Sequence, residues 1–344
     1  MNYVVFVGSY ASADQPGIYA FSFDDEDGTL KLLTQCDGIE RPSFLALARA
    51  NTLLFSVSEA NGGAVWVCDL DRGSGEITPR QQQPSGGDWP CHLATDNAGS
   101  AVFVANYGSG TAARLPLATD GSLGPMSGFV QHSGSGPNAD RQEGPHAHST
   151  TLTPDGRFAV VADLGIDRLM IYAIDAHGAL RFHSEAATAP GAGPRHAVFH
   201  PGGSMLYVAN ELDCTVSAYR YDAAAGTLNV LQILPTLPDD APETTVADIH
   251  IGPDRRLYVS NRGHNSIAVY SIGDDGLLTL LGIPSCGGDW PRNFAVAPDG
   301  RYVLVANQYS GEVVVLPVQQ EGEPLGAPVA RVSVPTASCV VFAV

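Results

Sequence analysis

A small set of imidazole, carboxylate and guanidinium side chains breaks an otherwise regular repeat in this sequence. His148, Arg195 and Arg292 each lie six residues before the proline of a turn, while Glu211 and Arg262 each follow an Asn that ends an apolar run. An imidazole or a carboxylate can move a proton near neutral pH, and a guanidinium group can bind an anion through parallel hydrogen bonds. The set therefore predicts acid–base chemistry on a small anionic molecule.

The regular background is a repeat with a period of about fifty residues. Copies of this length are too small to bury their own apolar faces, so they must pack against one another. In each copy an apolar run ends in a small residue and then a polar one. The seven polar residues are Ser9, Glu59, Asn106, Asp163, Asn210, Asn261 and Asn307.

Each copy contains short segments rich in Val, Tyr, Leu and Thr, separated by Gly, Pro, Asn or Asp. Such segments are typical of β-strands joined by tight turns, and no helical period of similar strength interrupts them. Four antiparallel strands per copy predict an all-β fold, a seven-bladed β-propeller, with a single domain over residues 1–344. Because residues 338–344 have no partners of their own, we expect residues 339–342 to pair beside residues 3–7 and close the ring.

Two columns of the repeat should meet at one face of such a fold. The first strand of each copy begins where the second strand ends, because a hairpin joins them. The first column is the residue six before each turn proline, and the second is the residue after the Asn or Asp that ends each apolar run. The two columns therefore lie side by side, around the mouth of the central channel. A structural role would repeat one residue type, as the Asn or Asp does to satisfy loop backbone. The residues of these two columns instead change charge from copy to copy, which favours a functional site. The columns also contain Cys91, Tyr107, Leu164 and Gln308.

Further histidines lie close to these columns. We expect His146 to point to the opposite side from His148, two residues later. His196 is open to two interpretations, a core residue or a donor behind the site. A metal site built from these three histidines would lack the neighbouring carboxylate that such sites usually contain, so we predict no metal. A single Arg of the set could equally form an ion pair between copies.

Composition restricts the partners and the compartment. The formal net charge of −18 argues against nucleic acid and anionic membrane, because both attract positively charged surfaces. The six cysteines are scattered without a CxxC pair, which argues against a zinc site and a disulfide framework. We expect no signal peptide before the strand-like residues 3–8, and no apolar stretch of the sequence approaches the length of a membrane span. We expect a cytoplasmic monomer with reduced thiols.

Five specific motifs lie between residues 144 and 265. They are Gly-Pro-His-Ala-His at 144–148, Gly-Pro-Arg-His at 193–196, Tyr-Val-Ala-Asn-Glu at 207–211, Ala-Asp-Ile-His at 247–250 and Asn-Arg-Gly-His-Asn at 261–265. In these motifs the chain resembles the cytoplasmic 6-phosphogluconolactonase family of seven-bladed propellers, a group that includes a fungal carboxymuconate lactonizing enzyme. The resemblance implies an enzyme that opens a sugar lactone, and it places the site on His148, Arg195, Glu211 and Arg262.

Lactone hydrolysis would use these residues without a metal or organic cofactor, because the lactone carbonyl is already activated. We expect His148 to be the general base, with Glu211 orienting it or exchanging roles, and Arg262 to stabilise the oxyanion. The expected substrate-binding residues are Arg195, Arg292, Gln308, His146 and His196. Two alternatives remain: a cycloisomerase that forms a lactone from a muconate, and a non-enzymatic propeller that binds another protein.

Overall fold

The computed structural model describes residues 2–48, 52–71, 73–96, 98–242 and 244–343. Within these ranges the only helical segment is one 3₁₀ turn, Leu164–Ile166, and all other regular structure is β. The strands are β1 (Asn2–Ser9), β2 (Ile18–Asp24), β3 (Leu30–Cys36), β4 (Leu45–Ala48), β5 (Leu53–Ser58), β6 (Ala64–Leu70), β7 (Ile77–Pro84), β8 (Pro90–Thr95), β9 (Ala101–Asn106), β10 (Thr111–Pro116), β11 (Gly128–Gln131), β12 (Ala147–Leu152), β13 (Phe158–Asp163), β14 (Arg168–Ile174), β15 (Leu180–Ala187), β16 (Pro194–Phe199), β17 (Met205–Asn210), β18 (Thr215–Asp222), β19 (Thr227–Pro235), β20 (Thr245–Ile251), β21 (Arg256–Arg262), β22 (Ser266–Ile272), β23 (Leu278–Gly282), β24 (Pro291–Val296), β25 (Tyr302–Asn307), β26 (Glu312–Pro317), β27 (Ala330–Ser333) and β28 (Ala337–Ala343).

In the described ranges these strands form seven four-stranded sheets. Six sheets consist of four consecutive strands each, from β4–β7 through β24–β27, and the seventh has the order β28-β1-β2-β3. Neighbouring strands pair antiparallel, for example β16 with β17 and β17 with β18. The predicted all-β arrangement of four antiparallel strands per repeat is therefore confirmed.

The sheet that joins the two ends of the chain pairs β28 with β1. Val5 lies opposite Phe342 and Val7 lies opposite Val340, as the sequence predicted for residues 3–7 and 339–342. The ring of Phe342 also packs edge-on against Tyr3 at 6.0 Å and against Phe23 at 5.6 Å, both measured between ring centroids. This pairing gives β1 a partner on each side and leaves it no exposed edge.

Contacts within the chain divide it into two compact units. Unit 1 comprises Met1–Leu54, Cys68–Pro79 and Pro235–Val344, and unit 2 comprises Phe55–Val67 and Arg80–Leu234. The core of unit 1 includes Val5, Phe21 and Leu304, while that of unit 2 includes Val160 and Leu206. One domain over residues 1–344 remains a prediction.

Burial differs between strands of the same sheet. Every residue of β5, β9, β13 and β17, each the second strand of its sheet, is buried. By contrast, most residues of the fourth strands β7 and β15 are at least partly exposed. A strand buried on both faces needs a nearly continuous apolar run. This explains why the second strands carry the repeated apolar motif found in the sequence.

A β-bulge recurs near the start of the first strand in several sheets. In β16, Pro194 pairs with Asn210 and His196 pairs with Ala209, so Arg195 is the extra residue. A bulge bends the strand and re-aims the extra side chain. The same register shift places Cys91, His148 and Arg292 at the extra position of β8, β12 and β24. The first column of the sequence analysis is therefore a column of bulged residues.

The Asn at the end of the second strand satisfies backbone in the segment that precedes the first strand of the same sheet. Asn106 donates from Nδ2 to the carbonyl oxygen of Ser85 at 3.1 Å, and Asn261 donates from Nδ2 to that of Thr236 at 3.0 Å. These side chains are fully buried. The predicted role of this column in satisfying loop backbone is confirmed at both positions.

The bulge of β20 in unit 1 contains a buried carboxylate, that of Asp248. Its Oδ2 accepts hydrogen bonds from Nδ2 of Asn293 and, at 3.3 Å, from the backbone N–H of Phe294. Nε2 of the half-exposed His250 lies 2.8 Å from the same oxygen. Burial by itself would lower the pKa of His250, but the charge and hydrogen bond of Asp248 leave that pKa raised.

The pairing between β28 and β1 predicts a large effect of Phe342→Ala. Removing this aromatic side chain from its packing against Tyr3 and Phe23 should lower the free energy of unfolding by about 3–5 kcal/mol. Urea denaturation followed by circular dichroism measures the loss. Phe182→Ala is the matched control, because that ring is 60% exposed and its removal should change stability by less than about 0.5 kcal/mol. Equal midpoints for both variants would contradict the packing role.

The His250–Asp248 pair predicts a pH-dependent term in stability. A raised pKa in the folded state means that protonated His250 stabilises the fold, fully below its ordinary pKa of 6.5. That contribution is lost as pH rises through the raised value. The melting temperature of the protein minus that of His250→Gln should therefore fall as pH rises above 6.5. A difference that stays constant with pH would show that the pair contributes no such term.

Candidate active site

A buried carboxylate lies between two guanidinium groups in unit 2. Oε2 of Glu211 is 3.0 Å from Nε of Arg195, and its Oε1 accepts a hydrogen bond from Nη2 of Arg141 at 2.7 Å. Glu211 and Arg195 are almost completely buried, whereas the side chain of Arg141 is 38% exposed. The three groups carry a net charge of +1, which is opposite in sign to the charge of the whole chain.

Two neighbouring sheet positions bring Glu211 and Arg195 together. Arg195 is the bulged residue of β16, and Glu211 follows Asn210, the residue that pairs with Pro194. The backbone N–H of Glu211 donates to the carbonyl oxygen of Gly193 at 2.7 Å, which extends the pairing of the two strands by one residue. The two sequence columns therefore meet in this sheet, as predicted.

Tyr107 links the guanidinium groups to two histidines. Its hydroxyl accepts a hydrogen bond from Nη2 of Arg141 at 3.2 Å. Its ring stacks on His146, with centroids 4.4 Å apart, and meets His148 edge-on at 5.5 Å. Burial raises the pKa of Tyr107 more than the charge of Arg141 lowers it, so the phenol keeps its proton at neutral pH.

His148 is the bulged residue of β12 and is buried. Its Nδ1 lies 3.7 Å from Sγ of Cys91, which donates at 3.2 Å to the carbonyl oxygen of His148. The imidazole of His196 meets it edge-on, with ring centroids 5.2 Å apart. Nη1 of Arg195 lies over the ring of His196, 3.2 Å from Nε2 and 3.4 Å from Nδ1. His196 thus contacts both the guanidinium of Arg195 and the imidazole of His148.

His146 lies on the same side as His148, and the expectation of opposite sides is wrong. Both rings contact Tyr107. Residues two apart in an extended segment share a face, so the expectation misapplied the alternation of a strand. Nδ1 of His146 is 2.9 Å from the carbonyl oxygen of Tyr107, and its Nε2 is 3.2 Å from Oε1 of the exposed Glu143. Its backbone N–H donates to Oδ1 of Asp163 at 2.8 Å.

The structure thus brings together five of the eight predicted site residues in unit 2, namely His146, His148, Arg195, His196 and Glu211. The other three belong to unit 1. There Arg262 donates from Nη2 to the carbonyl oxygen of Val246 at 2.9 Å and lies over the ring of Trp290 at 5.5 Å. Arg292 lies over the ring of Tyr10 at 5.0 Å, and the backbone N–H of Gln308 donates to Trp290. Their part in the site remains a prediction.

Arg141 is the residue that sequence reasoning missed. It lies in the segment between β11 and β12, residues 132–146, which is longer than the corresponding segment in each of the other copies. The signal in the sequence was the interval between Asn106 and Asp163, the longest between any two neighbouring copies. Burial by itself would lower the pKa of Arg141, but the charge of Glu211 and the hydrogen bonds to Tyr107 and Glu211 leave that pKa raised. Arg141 is therefore a permanent cation.

The described part of the chain lacks both a ready-made metal site and a membrane-spanning helix. No group of three His, Cys, Asp or Glu side chains there is arranged to hold a metal ion. The same residues include no helix that is long and apolar enough to cross a membrane.

Comparison with known proteins gives a consistent result. Residues 4–342 match the family model of the lactonase, 7-bladed beta-propeller. A 6-phosphogluconolactonase of Bacillus subtilis is 36% identical, covering 99% of this chain and 98% of its own. Another 6-phosphogluconolactonase, from Formosa agariphila, is 33% identical and covers 90% of this chain and 91% of its own.

Solved structures include a close relative in fold. The periplasmic gluconolactonase of Pseudomonas aeruginosa superposes with a TM-score of 0.93, at 29% identity and with 99% of both chains covered. The seven-bladed propeller expected from the repeat and the lactone-opening class of enzyme expected from the motifs both agree with these matches. From its seven four-stranded sheets and from the match along nearly its full length, the chain belongs to the lactonase family of seven-bladed β-propellers.

Proposed function

We propose that the protein hydrolyses 6-phosphogluconolactone to 6-phosphogluconate. The observation that carries the proposal is the buried Glu211, paired with Arg195 and Arg141 beside two histidines that share the ring of Tyr107. A proton acceptor next to a cluster of net positive charge suits attack by water on an anionic ester. The names of the relatives from Bacillus subtilis and Formosa agariphila support the same substrate.

His148 is the general base in this mechanism. It takes a proton from a water molecule as the water oxygen attacks the lactone carbonyl carbon. The resulting tetrahedral oxyanion collapses, the bond from the carbonyl carbon to the ring oxygen breaks, and that oxygen receives the proton back from His148. One water is consumed, and the product is an open-chain hydroxy acid that loses its acidic proton to solvent.

Glu211 acts as a positioning residue rather than as a second base. Both of its oxygens are engaged by guanidinium groups, so the carboxylate neutralises part of their charge and fixes their orientation. Arg195, held in this way, is the guanidinium group of unit 2 that supports the developing oxyanion. The sequence also predicted an oxyanion-binding role for Arg262 and substrate-binding roles for Arg292 and Gln308, and these roles of unit 1 remain predictions.

The mechanism predicts that His148→Ala and Glu211→Gln both lose activity. Removing the base should lower kcat by about 10²- to 10⁴-fold. Glu211→Gln should also lower kcat, because Arg195 loses the charge that holds it in place. The measurement is the rate of acid release from 6-phosphogluconolactone, corrected for spontaneous hydrolysis. The control is His177→Ala, an exposed turn histidine that should leave the rate unchanged. Full activity in both site variants would refute the mechanism.

A further prediction concerns metal ions. Every step above uses side chains and water alone, so incubation with a chelator and its removal by gel filtration should leave kcat and KM unchanged. The test is the same assay before and after treatment, with the melting temperature measured in parallel. If the chelator abolished activity and a divalent cation restored it, the lactonase would be metal-dependent and His148 would lose its proposed role.

A further inference from the structure

The two guanidinium groups on Glu211 differ in what they can still bind. Arg195 is almost completely buried, with Nε beside Glu211 and Nη1 over the imidazole of His196. Arg141 is 38% exposed, and its hydrogen bonds to Glu211 and Tyr107 both use Nη2. The N–H groups on Nε and Nη1 of Arg141 therefore remain to donate to a bound molecule. Arg141 is the member of the pair that faces outward.

The segment that carries Arg141 is fixed before any ligand arrives. The fully buried Gln142 donates from Nε2 to the carbonyl oxygen of Leu164 and to Oδ1 of Asp167, both at 2.8 Å. Its Oε1 accepts from the backbone N–H of Asn138 at 3.1 Å. Gln142, the residue after Arg141, is therefore hydrogen-bonded through both ends of its side-chain amide. Because this fixes the segment, Arg141 loses little conformational freedom when it binds an anion.

The local charge also favours an anion at Arg141. Glu211 can neutralise only one of the two guanidinium groups that share it, so one positive charge remains. Since Arg195 is the buried member, the exposed edge of Arg141 presents this charge to solvent. The same segment carries two carboxylates, Asp140 and Glu143, and that of Glu143 pairs with Nε2 of His146. Guanidinium donors match the oxygens of a phosphate in geometry and charge.

We infer that Arg141 binds the phosphate of the substrate and thereby determines the preference for a phosphorylated over an unphosphorylated lactone. The inference rests on the proposed function, whose substrate carries this phosphate. The relatives differ in this respect, because two are named as 6-phosphogluconolactonases and one as a gluconolactonase. Arg141 gives a structural reason for choosing between these substrates.

Kinetics with two substrates test the inference. Arg141→Gln should raise KM for 6-phosphogluconolactone about 10- to 100-fold, the usual range for a lost charge-assisted hydrogen bond. The kcat should change far less, and KM for glucono-1,5-lactone should not change. Arg141→Lys should restore part of the affinity, because it keeps the charge. Arg168→Gln is the matched control, since Arg168 is also 38% exposed and paired with a carboxylate, that of Glu185.

Three outcomes would overturn the inference. Equal losses of kcat on both substrates would show that Arg141 only holds Glu211 in place. An unchanged KM for the phosphorylated substrate in a variant with the wild-type melting temperature would show that another group binds the phosphate. If the unmodified protein hydrolyses neither lactone, the proposed function fails, and calorimetry then tests Arg141 separately. In that experiment equal affinities of wild type and Arg141→Gln for 6-phosphogluconate would overturn the inference.

Discussion

The ion pair between Arg195 and Glu211 is the interaction on which the site in unit 2 depends. A guanidinium group buried without a partner costs several kcal/mol, so Arg195 can occupy the bulge of β16 only because a carboxylate lies 3.0 Å away. The bulge in turn depends on Asn210, which pairs with Pro194, the residue before Arg195. Because Glu211 directly follows Asn210, one local backbone arrangement supplies both the buried charge and its partner.

The sequence was most informative where the repeat holds. The period near fifty residues predicted seven four-stranded sheets, and the apolar runs coincide with second strands such as β9, which is buried on both faces. Comparison of the copies also identified positions such as His148 and Glu211, because a column that changes charge cannot serve one shared structural purpose. The pairing of residues 339–342 with residues 3–7 followed from the need to remove an exposed edge.

The sequence was least informative where a residue has no counterpart in the other copies. Arg141 lies in a segment between sheets, and its approach to Glu211 depends on the buried anchor at Gln142 rather than on a strand position. The bulges were also invisible, because one inserted residue leaves the apolar pattern unchanged but alters where the side chains point. His146 was placed on the wrong side for a different reason, because residues two apart in an extended strand share a face.

The pairing of β28 with β1 has a consequence for how the chain folds as it is synthesised. Val7 leaves the ribosome early, and its partner Val340 is added among the last residues of the described chain. Until β28 has emerged from the ribosome, β1 therefore has one edge open to other nascent chains. Chaperone binding during this interval would fall on the residues around Val5 and Val7.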